Sequence, residues 1–132
     1  MIYQYLTLAG LGFGALAGFI ALFRPQAMAN TLGLQANPAK PGGFAEFRAT
    51  FGGVFFMIHL TAFLSVLRLP AGISIFIVLP VAMGWYGAAF GRAASMVIDT
   101  EKNGEGGINR YWIMLELIVG TLIMSIFFQF LS

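Results

Sequence analysis

The chain has no cysteine and a single histidine, and only 9% of its 132 residues are charged. Without cysteine there is no disulfide framework, no thiolate metal site and no thiol nucleophile. Soluble domains carry about 25% charged residues, and seven Lys and Arg with five Asp and Glu cannot clothe a water-soluble globule of this length. A formal net charge of +2 is no surplus for nucleic acid. The sequence also lacks a nucleophile elbow, an HExxH pair and a phosphate-cradling glycine loop after a strand, so no catalytic group, cofactor or metal centre is expected. What is present instead is apolar: 59% hydrophobic residues, with 14 Phe and 17 Gly, a composition opposite to that of disordered chains.

A helix rising about 1.5 Å per residue needs about 20 apolar residues to cross a bilayer. Four stretches meet this length, at residues 2–23, 44–67, 71–98 and 111–131. The first holds no charge, and its opening residues lack the positive segment of a cleavable signal peptide. Between the first two, Pro25 suits the first turn of a short interfacial helix, with Met28, Leu32 and Leu34 toward the membrane surface. The turn around Arg68, Leu69 and Pro70 is tight and predicts an antiparallel hairpin. The segment 99–110, DTEKNGEGGINR, reads as a hydrophilic loop whose Gly104, Gly106 and Gly107 discourage helix. No internal repeat is visible. The expectation is therefore one all-α domain over residues 1–132, an integral membrane four-helix bundle with a short interfacial helix after its first span.

Four spans put both termini on one side. Arg24, Lys40, Arg48, Arg92, Lys102 and Arg110 lie in or beside the first and third loops, against Arg68 alone at the other face. The positive-inside rule then makes those two loops cytoplasmic and the termini external. Tyr3, Tyr5, Tyr111 and Trp112 lie near span ends, as an aromatic belt requires, whereas Trp85 lies deeper.

Helices in lipid associate through close packing at small residues. Gly10, Gly14 and Gly18 recur every four residues in the first span, Ala45, Ala49 and Gly53 in the second, and Gly87, Gly91 and Ser95 in the third. These stripes predict close approach of the first three helices, with the first one's groove as an alternative seat for a partner helix. The fourth span has only Gly120 and is expected to pack more loosely.

Charges within spans are costly, about 2.5–3.5 kcal/mol at the centre on insertion scales, and face the bundle or a wet cavity. Glu46 and Arg48 lie in the first turns of the second span, Glu116 in the second turn of the fourth, and Arg92 about two turns from the end of the third, all within about 10 Å of one interface. Glu46 and Arg48, two apart, point to different faces. Arg92, Ser95 and Asp99 share a stripe. The expectation is that Arg92 crosses to Glu46 or Glu116 and that Arg48 snorkels to headgroups. Such a cluster either staples three helices or forms a cytoplasm-facing pocket for a small anionic or amphiphilic ligand or a proton. His59, near mid-span, has no second His or Cys with which to bind metal; it is expected to be a neutral packing residue, with ligand contact or proton relay as the alternative. Pro80 interrupts the third helix and frees the carbonyl of Phe76.

Leu32-Gly33-Leu34, FAEFRATFGG over residues 44–53, Gly91-Arg92 with Ser95 and Asp99, and Glu116 together resemble a family of small bacterial membrane proteins, domain-of-unknown-function family 4345. The resemblance covers nearly the whole chain, although Asp99-Thr100 stands where the family pattern continues Asp-Gly. It implies a compact four-span bundle of a bacterial inner membrane and singles out Glu46, Arg48, Arg92, Asp99 and Glu116. It implies no activity.

Small size, short loops and glycine grooves point first to a non-catalytic accessory or assembly subunit, with the bilayer and other membrane subunits as partners. The alternative is a small carrier or binding protein for a hydrophobic or weakly acidic solute, such as a lipid or quinone, held near Arg92 and Pro80.

Overall fold

The computed structural model describes residues 1–35, 42–99 and 106–131, without the side chains of 43 and 106–109. The two segments 36–41 and 100–105, which include Lys40, Lys102 and Gly104, lie outside the described residues. The chain is an all-α four-helix bundle. Helix α1 spans Ile2–Phe23 and α2 Pro25–Thr31, with Pro25 at the first helical position as its fixed φ favours. Helix α3, Gly43–Phe47, runs through a π-helical segment Arg48–Val54 into α4, Phe55–Arg68. Helix α5 spans Ala71–Ile98 and α6 Gly106–Met124, and a 3-10 segment, Ser125–Phe130, follows. Four helical stretches are long and apolar enough to cross a membrane, and at most 33% of each one's most apolar window is buried inside the bundle. The remaining outer faces carry residues such as Phe76 and Phe90, as contact with lipid requires.

Helix α2 ends where the sequence places Leu32-Gly33-Leu34. Gly33 adopts φ +71°, the Leu34 N–H bonds the Ala29 carbonyl and the Gly33 N–H that of Asn30. This pair of bonds is a Schellman motif, which uses glycine at the left-handed position. Helix α6 begins at Gly106, so residues 106–110 are helical and not loop; glycines at a helix start forgo few intrahelical bonds. Met28 and Leu32 do not simply lie on the membrane surface. They pack on the small core of Ala21, Ala29 and Phe47, which ties α2 to the end of α1 and the start of the second span. Leu34 is exposed.

Close packing follows the first glycine stripe. A side chain at Gly10 would meet Ile123 Cγ1 at 2.8 Å, one at Gly14 would fall on the His59 ring, and one at Gly18 would strike the Phe56 backbone. The groove of α1 is thus filled by this chain's own α6 and α4. The other two stripes do not pack as expected. Ala45 and Ala49 are exposed, and a side chain at Gly53 would find only the Arg48 carbonyl oxygen at 3.7 Å; Gly52 is the residue that meets α1, where an added Cβ would fall 2.8 Å from Leu22 Cα. Between Ala49 and Gly53 the chain is π-helical, and its wider i→i+5 bonding breaks the four-residue register of α-helical spacing. Gly87 and Gly91 face open space within this chain, so they do not bring α5 close to another helix. Helix α6 packs closely on α5 instead of loosely, with Gly120 buried beneath the Tyr86 ring.

The bundle is closed at one end and open at the other. At the end holding the chain termini and the α4–α5 hairpin, Leu11, Ala62, Val66, Val78, Val81, Ala82, Val119, Ile123 and Ile126 form one core drawn from all four long helices. Thr7 belongs to that end: its hydroxyl donates to the Ile123 carbonyl at 3.1 Å and accepts the Ile126 N–H at 2.9 Å. At the opposite end, near the first and third loops, the second core contains α1, α2 and α3 residues alone, and α5 with α6 stands apart from it.

Candidate functional site

The gap between these two halves is a cleft of about 800 Å³, within the range of ligand sites. One wall is the α1 and α4 side, with Phe13, Ala17, Phe51, Phe55 and His59; the other is the α5 and α6 side, with Pro80, Gly84, Trp85, Ala88 and Leu115. Met28, Thr31 and Leu32 of the α2 region close the loop end. Small residues make the room: Gly84, Ala88, Gly91 and Ser95 lie on one face of α5, and all four line the cleft. Of the stripe that the sequence offers as a packing surface, Gly91 and Ser95 are therefore cavity wall, whereas Gly87 is not on the lining. Leu16, Phe51 and Ile58 on the lining are 58, 47 and 48% exposed, so the cleft opens sideways between the long apolar helices. A second recess between α4 and α5, lined in part by Met57, Thr61 and Ile77, shares Ile58, Pro80 and Val81 with it.

Polar groups occupy two places along the cleft. At the loop end, Arg92 Nε donates to Glu116 Oε1 at 2.7 Å, and the guanidinium lies 5.4 Å from the centre of the Trp112 ring, a cation–π distance. Glu116 is 5% exposed. Its other oxygen, Oε2, is buried and has no hydrogen-bond partner. At the deep end, Trp85 Nε1 donates to His59 Nε2 at 2.9 Å, while His59 Nδ1 lies 2.7 Å from the Phe55 carbonyl. An indole N–H can only donate, so Nε2 is the acceptor and Nδ1 carries the ring proton. Both nitrogens of a neutral imidazole are thereby satisfied. Phe55 packs edge-on against Trp85 with ring centres 5.5 Å apart, and Phe13 lies at 6.1 Å.

The predicted polar set is divided. Of the two carboxylates proposed for Arg92, Glu116 takes it. Glu46 is exposed on α3, and its carboxylate has no ion pair among the described residues. Arg48 is exposed at the start of the second span, where its Nη1 donates to the Leu22 carbonyl at 2.6 Å, capping the last turn of α1 as basic side chains commonly do. Ser95 donates to Asp99 Oδ2 at 2.8 Å at the end of α5, so Asp99 belongs to the helix terminus while Ser95 also lines the cleft.

Three aromatic residues of the cleft, Trp112, Trp85 and Phe55, stand outside the predicted polar set. Trp112 precedes Glu116 by four residues and shares its helical face, a spacing that places both against Arg92. Trp85 and Phe55 lie at similar distances from the hairpin turn, and His59 is one helical turn beyond Phe55, so the hairpin geometry contains that cluster. No family model, curated protein or solved structure matches the chain.

Proposed function

We propose that this protein binds an amphiphilic small molecule in the plane of a membrane, as a small carrier or binding protein of the bacterial inner membrane with both termini outside and the first and third loops in the cytoplasm. The observation that carries this reading is the cleft. It has an apolar length, an Arg92–Glu116 pair at one end and a lateral opening where a membrane-dissolved ligand would enter. Binding sites of small molecules share this plan of apolar walls with few placed polar groups. The four-span family that the sequence resembles is consistent with the architecture and adds no ligand.

A second reading, a non-catalytic accessory or assembly subunit, is favoured by Gly87. It is exposed on α5 with open space before it, and a helix of a partner subunit packs well on such a surface. Native mass spectrometry of protein released in mild detergent separates the two. The binding reading expects a monomer carrying a lipid-sized adduct that is lost on Ala88→Phe, which fills the cleft. A stoichiometric complex with other membrane subunits, insensitive to Ala88→Phe and disrupted by Gly87→Leu, overturns it in favour of the subunit.

A further inference from the structure

Resting on that binding reading, we infer that the cleft selects amphiphiles whose head is uncharged and carries a hydroxyl, the hydroxyl donating to Glu116 Oε2 and accepting from Arg92. Three observations define this head. Glu116 Oε2 is buried without a partner on a residue that lines the cleft, and a carboxylate paired with arginine only accepts hydrogen bonds. Satisfying that oxygen takes a donor, which the ligand brings by displacing the groups that cover Oε2 in the unliganded bundle. Arg92 uses Nε on Glu116 Oε1, and its terminal nitrogens, on a side chain 27% exposed, make no hydrogen bond among the described residues, so the same head meets donors available to an acceptor. A hydroxyl supplies both functions at one atom.

Charge narrows the class further. Arg92 and Glu116 already neutralise each other, and a further charge brought into a poorly solvated site is penalised. A carboxylate head would meet Glu116 Oε2 with like charge, and a quaternary ammonium has no N–H to offer. An ether or a ketone accepts from Arg92 but leaves Oε2 unpaired. Alcohol and phenol heads, a hydroquinone among them, fulfil every requirement, whereas the corresponding quinone lacks the donor. The apolar length, from Phe13 and Trp85 to Leu32, takes the alkyl or ring body.

The chain's two tryptophans, Trp85 and Trp112, both line the cleft, so their fluorescence reports on its occupant. Full-length protein in phosphatidylcholine nanodiscs would be titrated with brominated dodecanol as quencher. It would then be displaced by dodecanol, dodecyl methyl ether, dodecanoate or dodecyltrimethylammonium, compared at equal mole fraction in the bilayer. Dodecanol is expected to displace about tenfold better than the other three, equivalent to about 1.4 kcal/mol. Glu116→Gln, whose amide contributes a donor of its own, should shrink the alcohol-to-ether ratio to about threefold or less. Equal displacement by alcohol and ether in the unsubstituted protein, or best displacement by either ion, overturns the head assignment while leaving the cleft as a binding site. Quenching that never saturates overturns the binding reading itself, and the head assignment with it.

Discussion

The indole N–H of Trp85 donates to Nε2 of His59 across the α4–α5 interface at 2.9 Å, and this bond fixes which imidazole nitrogen carries the proton. The Nδ1–H tautomer is expected in nitrogen-15 spectra of the histidine ring. Trp85→Phe removes the donor and leaves Nε2 unpaired in a buried setting, at a cost of about 1–3 kcal/mol. Denaturation in mixed micelles would measure it; an unchanged midpoint or an Nε2–H tautomer would contradict the bond.

Glycines of equal sequence appearance should respond oppositely to alanine. Gly14→Ala places a methyl group on the His59 ring and is expected to destabilise by about 1–3 kcal/mol, the usual cost of overpacking. Gly87→Ala meets nothing and gains helix propensity, worth up to about 1 kcal/mol. Thermal unfolding of the two variants should therefore shift in opposite directions. A loss of stability at Gly87 comparable with that at Gly14 would show that α5 is packed where the structure leaves it open.

Thr7 allows a test of the closed end. Its hydroxyl serves both the Ile123 carbonyl and the Ile126 N–H, where α6 gives way to the 3-10 segment. Thr7→Val keeps the shape and orphans Ile126, costing about 1–3 kcal/mol. Thr7→Ser keeps the hydroxyl and should cost less. Equal losses for the two variants, read by the same unfolding measurement, would assign Thr7 to packing alone.

Removing one partner of the Arg92–Glu116 pair should cost more than removing both. Arg92→Met leaves a carboxylate that is 5% exposed without its cation, a loss of about 3–5 kcal/mol by the behaviour of broken buried pairs. Arg92→Met with Glu116→Leu replaces the pair by apolar groups and should recover much of that stability. A double-mutant cycle checks this, and strict additivity would mean that the two residues do not interact. Exchange of the charges, Arg92→Glu with Glu116→Arg, separates stapling from binding: restored folding with lost amphiphile binding is the expected result.

The spans, the short α2 helix and the Arg92–Glu116 pairing as one of two options are legible in the sequence, because uninterrupted hydropathy, Pro25 and the rarity of intramembrane charge each leave a local mark. Glu46 misled because depth along a helix is readable while its facing across the bundle is not. Gly53 misled because the π-helical turn at Arg48–Val54 breaks the four-residue register of the second span, and no residue spacing announces it. The stripe of Gly87, Gly91 and Ser95 is visible in the sequence, but small residues mark equally a surface that touches a neighbour and one that makes room. Only the divergence of α5 and α6 from the α1–α3 core decides between them, and that divergence depends on contacts distant in sequence.

The absence of cysteine makes the cleft directly testable, since any introduced thiol is unique. Alkylation of Ala88→Cys and Gly87→Cys by a membrane-permeant maleimide would be timed in proteoliposomes with and without dodecanol. Position 88 lines the cleft and position 87 faces away from it. If the cleft binds amphiphiles, dodecanol slows the reaction at 88 by about fivefold or more and leaves 87 unchanged, as expected for a ligand about five times above its dissociation constant. Equal rates at both positions, with dodecanol affecting neither or both alike, would contradict a binding cleft.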